Sequence, residues 1–124
     1  MTFSLHHLGL TVPNLDAAVS FYQDILGFTL GRYNELSRNG EVRRIQFMDL
    51  DDLSLELIEK IDASTEGTPS MHIAFTPSDF DAAIAAMVEA GCPMDGDGLR
   101  GESPKRIVFF TGPSGERLEL SERR

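Results

Sequence analysis

The sequence predicts an α+β protein assembled from two copies of one βαβββ module, and three observations predict it. A histidine followed eight residues later by a hydrophobic residue and Asp-Ala-Ala occurs twice, at His7 with Leu15-Asp16-Ala17-Ala18 and at His72 with Phe80-Asp81-Ala82-Ala83, a period of 65 residues. A Leu-Glu-Leu closes each copy, around Glu56 and around Glu119, 49 and 47 residues after the respective histidine. Each Leu-Glu-Leu is preceded by Arg-Ile-x-Phe, beginning at Arg44 and at Arg106. Solenoids need three or more units, so a single duplication points to two modules, about residues 1–62 and 68–124, sharing one sheet within a single domain.

Each element follows from local pattern. Residues 5–12 (LHHLGLTV) and 71–76 (MHIAFT) are short apolar runs that predict the first strand of each module. Asn14 and Ser78 are suitable N-caps for the helices that follow. In the first helix Leu15, Ala18, Val19, Tyr22, Ile25 and Leu26 recur at helical spacing, and in the second Phe80, Ala83, Ile84, Met87 and Val88 do so. Gly27 and Gly91 mark the helix ends, where a left-handed residue is favoured. Three strands are predicted after each helix, at about 28–34, 42–49 and 53–60, and at about 93–97, 105–111 and 116–121. The polar stretch from Lys60 to Ser70 is the expected connection.

Composition sets the function classes aside. At 124 residues and 41% hydrophobic, the chain can bury a real core. Its net charge of −9, with 11 basic against 20 acidic residues, argues against gripping nucleic acid phosphates. No segment approaches the roughly 20 apolar residues of a membrane span, and MTFSLHH is not a leader, so a soluble cytoplasmic protein is expected. Cys92 is the sole cysteine and reads as a small buried hydrophobe, so any metal would be held by histidine and carboxylate.

Strand alternation says where those groups point. In LSLELIE (53–59) Leu53, Leu55 and Leu57 oppose Ser54 and Glu56; in ERLELSE (116–122) Leu118 and Leu120 oppose Arg117, Glu119 and Ser121. The leucines are expected beneath the helices, with Glu56 and Glu119 on the opposite face. Two histidines and two glutamates at equivalent places suggest convergence on a pseudo-twofold axis. Such a set suits Zn, Ni, Co, Mn or Fe and leaves positions for substrate oxygens. His6, Glu59 and Glu122 read as structural or solvent-exposed, and Tyr22 as helix packing.

The segments HHLGLTVPNLDAAVSFYQDILGF, LSLELIE, MHIAF and SGERLELSE resemble the signature segments of the glyoxalase, bleomycin-resistance and extradiol-dioxygenase superfamily, the vicinal oxygen chelate proteins, in order and over essentially the whole chain. The resemblance implies paired βαβββ modules in a half-open, cup-shaped barrel. It implies a divalent metal held by His7, Glu56, His72 and Glu119, and often a homodimer. It also implies glyoxalase-I-like chemistry: a lyase or isomerase moving a proton through a metal-stabilised enediolate, Glu56 and Glu119 acting as the proton carriers, with glutathione or another thiol as co-substrate. Relatives of the same fold leave open a methylmalonyl-CoA-epimerase-like enzyme, an extradiol-dioxygenase-like enzyme and a non-catalytic small-molecule or antibiotic binder.

The sequence departs from glyoxalase I in lacking a Tyr-Asn-Trp-Gly-like turn and any tryptophan. Arg32, Arg38, Arg43, Arg44 and Arg100 are candidates for an anionic substrate tail. The loop 95–106 (DGDGLRGESPKR) is either a lid or a connection.

Overall fold

The computed structural model describes residues 1–2, 4–65 and 71–123, and of Arg38 the backbone alone. The predicted α+β class is the one observed, in two compact units, Met1–Ala63 and Ser64–Arg124. In place of one shared sheet there are two, each open at its edges. No helix among the described residues is long and apolar enough to cross a membrane.

The first unit runs β1 (Leu8–Val12), α1 (Leu15–Ser20), a π-helical turn (Phe21–Ile25), β2 (Thr29–Arg38), β3 (Glu41–Leu50) and β4 (Leu53–Glu59). Its sheet has the order β1-β4-β3-β2, with β1 parallel to β4 and the other pairs antiparallel. Asn14 caps α1 as expected, its Oδ1 accepting from the Ala17 amide at 3.0 Å. The predicted single helix widens into the π turn, where the Leu26 amide reaches the Phe21 carbonyl at 3.4 Å, and Gly27 at φ +79° ends it. The β2–β3 hairpin is longer than predicted because Asn39 and Gly40, at φ +52° and +79°, form a two-residue turn that matches strand twist. Tyr22, buried as predicted, meets Phe28 edge to face at 5.2 Å and shares the core with Val12, Met48, Leu55 and Leu57.

The second unit runs β5 (His72–Phe75), α2 (Phe80–Glu89), β6 (Ile107–Thr111) and β7 (Arg117–Ser121), with sheet order β5-β7-β6. The strand predicted at 93–97 shrinks to a single bridge between Met94 and Phe110. Pro93 has no amide to donate, and the Gly98 amide already turns back to the Asp95 carbonyl at 2.8 Å, so there is no length for a ladder. Asp79, rather than Ser78, caps α2, its Oδ1 accepting from the Ala82 amide at 3.0 Å. Asn14 stands directly before Leu15, so the repeat places the cap directly before Phe80. Met87, Cys92, Val108, Phe110, Leu118 and Leu120 form this unit's core, and burial pushes the Cys92 thiol up to about 11. Of the 60–70 connection, residues 66–70 lie outside the described residues; before them, the Lys60 amide donates to the Val12 carbonyl at 2.8 Å.

Glu59 and Glu122, expected in solvent, are instead the centres of two matching clamps. Arg44 Nε and Nη2 each donate to Glu59 at 2.9 Å while Nη1 reaches Asp16 at 3.1 Å; the Leu15 amide, the first of α1, donates to the same glutamate at 2.8 Å. Arg106 repeats this with Glu122 at 3.0 and 2.7 Å and with Asp81 at 3.1 Å. The clamps join the ends of β4 and β7 to the first turns of α1 and α2, and their fork geometry is the strong form of the ion pair. Carboxylates at the strand ends were correctly located by sequence; only the distant arginine was missing from view. Hydrogen bonds from Arg44 and then from the Leu15 amide hold Glu59 below the usual carboxylate range, and those from Arg106 lower Glu122 to about 2.

Two outcomes are expected. Leu57→Ala removes a fully buried side chain and should cost about 2–5 kcal/mol in urea unfolding. Because Glu122 titrates below its ordinary value of 4.5 when folded, its contribution is complete above that pH and is lost as pH falls toward 2. Melting temperature should therefore drop across that window, and Glu122→Gln should flatten this part of the profile.

Candidate functional site

The core leucines decide the orientation of the site residues. Leu55 and Leu57 are fully buried on one face of β4, and Leu118 and Leu120 nearly so on β7, so the intervening Glu56 and Glu119 emerge on the other face. In the first unit β1 lies parallel beside β4, with Gly9 opposite Glu56. His7 stands just before β1 rather than within it, because the ladder begins at the Leu8–Leu55 pair. His72 opens β5, with Ala74 opposite Glu119 on β7. The same parallel pairing thus delivers a histidine to a glutamate in each unit.

The two resulting pairs have the same geometry. His7 Nε2 stands 3.4 Å from Glu56 Oε1, and His72 Nε2 stands 3.4 Å from Glu119 Oε1. The glutamates are largely covered and the imidazoles are 34% and 40% exposed, so both pairs remain open to solvent on one side. A hydrogen bond between such groups runs about 2.7–3.2 Å, shorter than observed. Two donors each about 2.1 Å from one ion, at an angle near 105°, stand about 3.3 Å apart. The donor chemistry and spacing of each pair therefore fit two ligands of a divalent metal. Among the described residues no group of three or more His, Cys, Asp or Glu side chains gathers to hold an ion; the predicted quartet is seen as two pairs, one in each unit.

Sequence reasoning missed the groups that support these pairs. His6, read as structural, places its Nδ1 2.7 Å from His7 Nδ1. With the proton on His7 Nδ1 and donated to His6, Nε2 is left as a lone pair facing Glu56, the form a metal requires. Phe47, opposite Glu56 in the ladder, meets the His7 ring edge to face at 5.6 Å; Phe109, opposite Glu119, meets His72 at 5.2 Å. These are the phenylalanines of the repeated Arg-Ile-x-Phe, whose arginines form the clamps, so the repeat itself was their signal. Ser121 donates its hydroxyl to Glu119 Oε2 at 2.6 Å, whereas the equivalent residue after Glu56 is Ile58.

The predicted arginines separate. Arg44 is committed to its clamp, Arg43 faces Glu41 at 3.7 Å, and Arg100 bonds Asp95 and Asp97, each at 2.9 Å. The Arg38 side chain lies outside the described residues. Arg32 has its guanidinium 5.0 Å from the Phe47 ring centre. Within the loop 95–106, Arg100 and Ile107 exchange backbone hydrogen bonds at 2.8 and 2.9 Å, which ties the loop to β6.

A family profile described as Glyoxalase/Bleomycin resistance protein/Dioxygenase superfamily matches residues 4–120, and the chain belongs to that superfamily. Among curated proteins it is similar to the uncharacterized protein YaeR of Escherichia coli K12, 29% identical over 122 residues and 95% of either chain. Among solved structures it is similar to a glyoxalase family protein from Enterococcus faecalis, 27% identical with a TM-score of 0.72, covering 95% of this chain and 96% of that one. The fold is shared with the fosfomycin resistance protein FosX of Listeria monocytogenes, 20% identical with a TM-score of 0.81, covering 100% of this chain and 95% of that one. That protein was solved, as an E126Q mutant, with Mn(II) and 1S,2S-dihydroxypropylphosphonic acid.

Proposed function

We propose that this protein is a metal-dependent lyase or isomerase of the glyoxalase I type, acting on a small molecule by proton transfer between adjacent carbons. The observation that carries this reading is the duplicated His–Glu pair, with the same 3.4 Å separation in both units. His7, Glu56, His72 and Glu119 would be the metal ligands, two from each unit. Bound there, a divalent ion would polarise a substrate carbonyl and stabilise the anion formed when the neighbouring carbon loses a proton.

The chain's own residues supply the remainder. His6 Nδ1, 2.7 Å from His7 Nδ1, would accept the His7 proton there, the arrangement that presents Nε2 to the metal. The side chains of Phe47 and Phe109 fix the orientation of the imidazoles from the side. A glutamate oxygen, Glu56 or Glu119, takes the proton from one carbon and returns it to the next, a role that a positioned carboxylate performs without redox chemistry. Ser121 steadies one oxygen of Glu119, while Glu56 has no matching hydroxyl, so the two carboxylates are not equivalent.

Purified protein stripped of metal should bind Zn, Ni, Co, Mn or Fe by calorimetry, and the reloaded enzyme should convert the hemithioacetal of methylglyoxal and glutathione. Glu56→Gln and Glu119→Gln should each leave circular dichroism unchanged and lower kcat/KM by about 10²–10⁴-fold. Methylmalonyl-CoA belongs in the same assay as the competing substrate of the same chemistry. Absence of tight metal binding, together with full activity in both glutamine variants, would defeat the reading.

A further inference from the structure

One arginine stands a single aromatic ring away from the His7–Glu56 pair and is held there by a break in the sheet. β2 and β3 pair regularly from Arg38–Glu41 up to Tyr33–Gln46 and again at Leu30–Met48, but the register shifts between Leu30 and Tyr33. Gly31 and Arg32 on β2 together oppose Phe47 on β3, the count of a β-bulge, a device that re-aims a side chain. Glycine relieves crowding at the bulge: a Cβ at Gly31 would lie 2.8 Å from Asp49 Oδ2 and 3.1 Å from the Phe47 carbonyl oxygen, so the Asp49 side chain and the β3 backbone would have to give way. Gln46 Nε2 donates to the Gly31 and Phe47 carbonyls, both at 3.0 Å, which pins the distortion. The outcome is Arg32 Cζ 5.0 Å from the Phe47 ring centre, with the same ring meeting His7 edge to face.

This guanidinium differs from those of Arg43, Arg44, Arg100, Arg106 and Arg117. Those five all face carboxylates, whereas the guanidinium of Arg32 has no hydrogen-bond or carboxylate partner among the described residues. The second unit makes the contrast sharper. Its equivalent ring, Phe109, carries Arg117 at 4.0 Å and Arg100 at 5.1 Å, but both arginines bond Asp95. Positive charge beside His72 is therefore cancelled locally, and positive charge beside His7 is not. Stacking over an aromatic face holds the guanidinium while leaving its planar fork of N–H donors for a bidentate oxyanion.

We propose that Arg32 is the oxyanion hook of the site. It takes a carboxylate, phosphonate or phosphate group of the substrate while the reacting carbons lie at His7 and Glu56. The inference rests on the metal-site reading of that pair and adds a substrate class: small molecules with an anionic tail.

The test uses the full-length protein and the variants Arg32→Gln, Arg32→Lys and Gly31→Ala. Methylphosphonate and acetate are titrated separately against each protein, with and without bound metal, following backbone amide NMR shifts of residues 31–33 and 46–47. Arg32→Gln should weaken binding of the preferred oxyanion at least tenfold, Arg32→Lys should recover part of it, and Gly31→Ala should weaken it with the arginine still present. Metal affinity should stay within about twofold of wild type in all three. In turnover, Arg32→Gln should raise KM for the glutathione hemithioacetal with little change in kcat, and leave KM unchanged for the corresponding glutathione ester. Oxyanion affinity unaltered by Arg32→Gln, or no oxyanion binding to wild type, overturns the hook. Failure of wild type to bind any metal overturns only the metal reading, because the oxyanion titration is also read on metal-free protein.

Discussion

The structure depends first on the two-residue period of an extended strand. In β4 and β7 the buried leucines can occupy only alternate positions, so the residue between them must leave the core on the other face. Leu55 and Leu57 thereby aim Glu56, and Leu118 and Leu120 aim Glu119, without any contact designed for the glutamates themselves. A slip of one residue in either strand would bury a carboxylate and expose two leucines, a cost that locks the register. Parallel pairing with β1 and β5 then brings a histidine to each glutamate, and the equal 3.4 Å separations follow from equal registers.

Around this constraint each unit builds the same scaffold from one short motif. In Arg-Ile-x-Phe the arginine turns toward the helix, where it joins Asp16 or Asp81 to Glu59 or Glu122; the phenylalanine turns the other way, against the histidine. Arginine and phenylalanine stand three residues apart, an odd number, so alternation sends them to opposite faces. One strand thus braces the helix with one side chain and the site with another. The two units diverge where scaffold is not at stake: Ser121 against Ile58 beside the glutamates, and the bulged, unpaired Arg32 against the neutralised Arg100 and Arg117 beside the rings.

Much of this is legible in the amino-acid sequence. The repeat located both histidines and both glutamates, the alternation oriented the glutamates, and Asn14, Gly27 and Gly91 marked helix ends by chemistry that acts over four residues. Each misreading has its own physical cause. Glu59 and Glu122 look like solvated strand ends until arginines 15 and 16 residues earlier are seen to reach them. The strand expected at 93–97 fails because Pro93 has no amide to donate and the chain turns back from Asp95 to Gly98, so the segment meets β6 in a single bridge. Ser78 and Asp79 are equally good caps locally, and the repeat selects Asp79, which stands directly before Phe80 as Asn14 stands directly before Leu15.

Sequence by itself determined the duplicated α+β architecture, the buried leucines and the identity of the candidate ligands, because period, capping and repetition are properties of neighbouring residues. Tertiary structure decided which charges are spent and which are free. Five arginines looked interchangeable along the chain, yet pairing from β3 to β4 commits Arg44 to Glu59, a turn within the loop commits Arg100 to Asp95 and Asp97, and a bulge at Gly31 leaves Arg32 uncommitted over Phe47. The Arg44–Glu59 pair and the placement of Arg32 over Phe47 both depend on distances between residues 15 apart in sequence, and those distances exist only once the sheet has closed its hydrogen bonds.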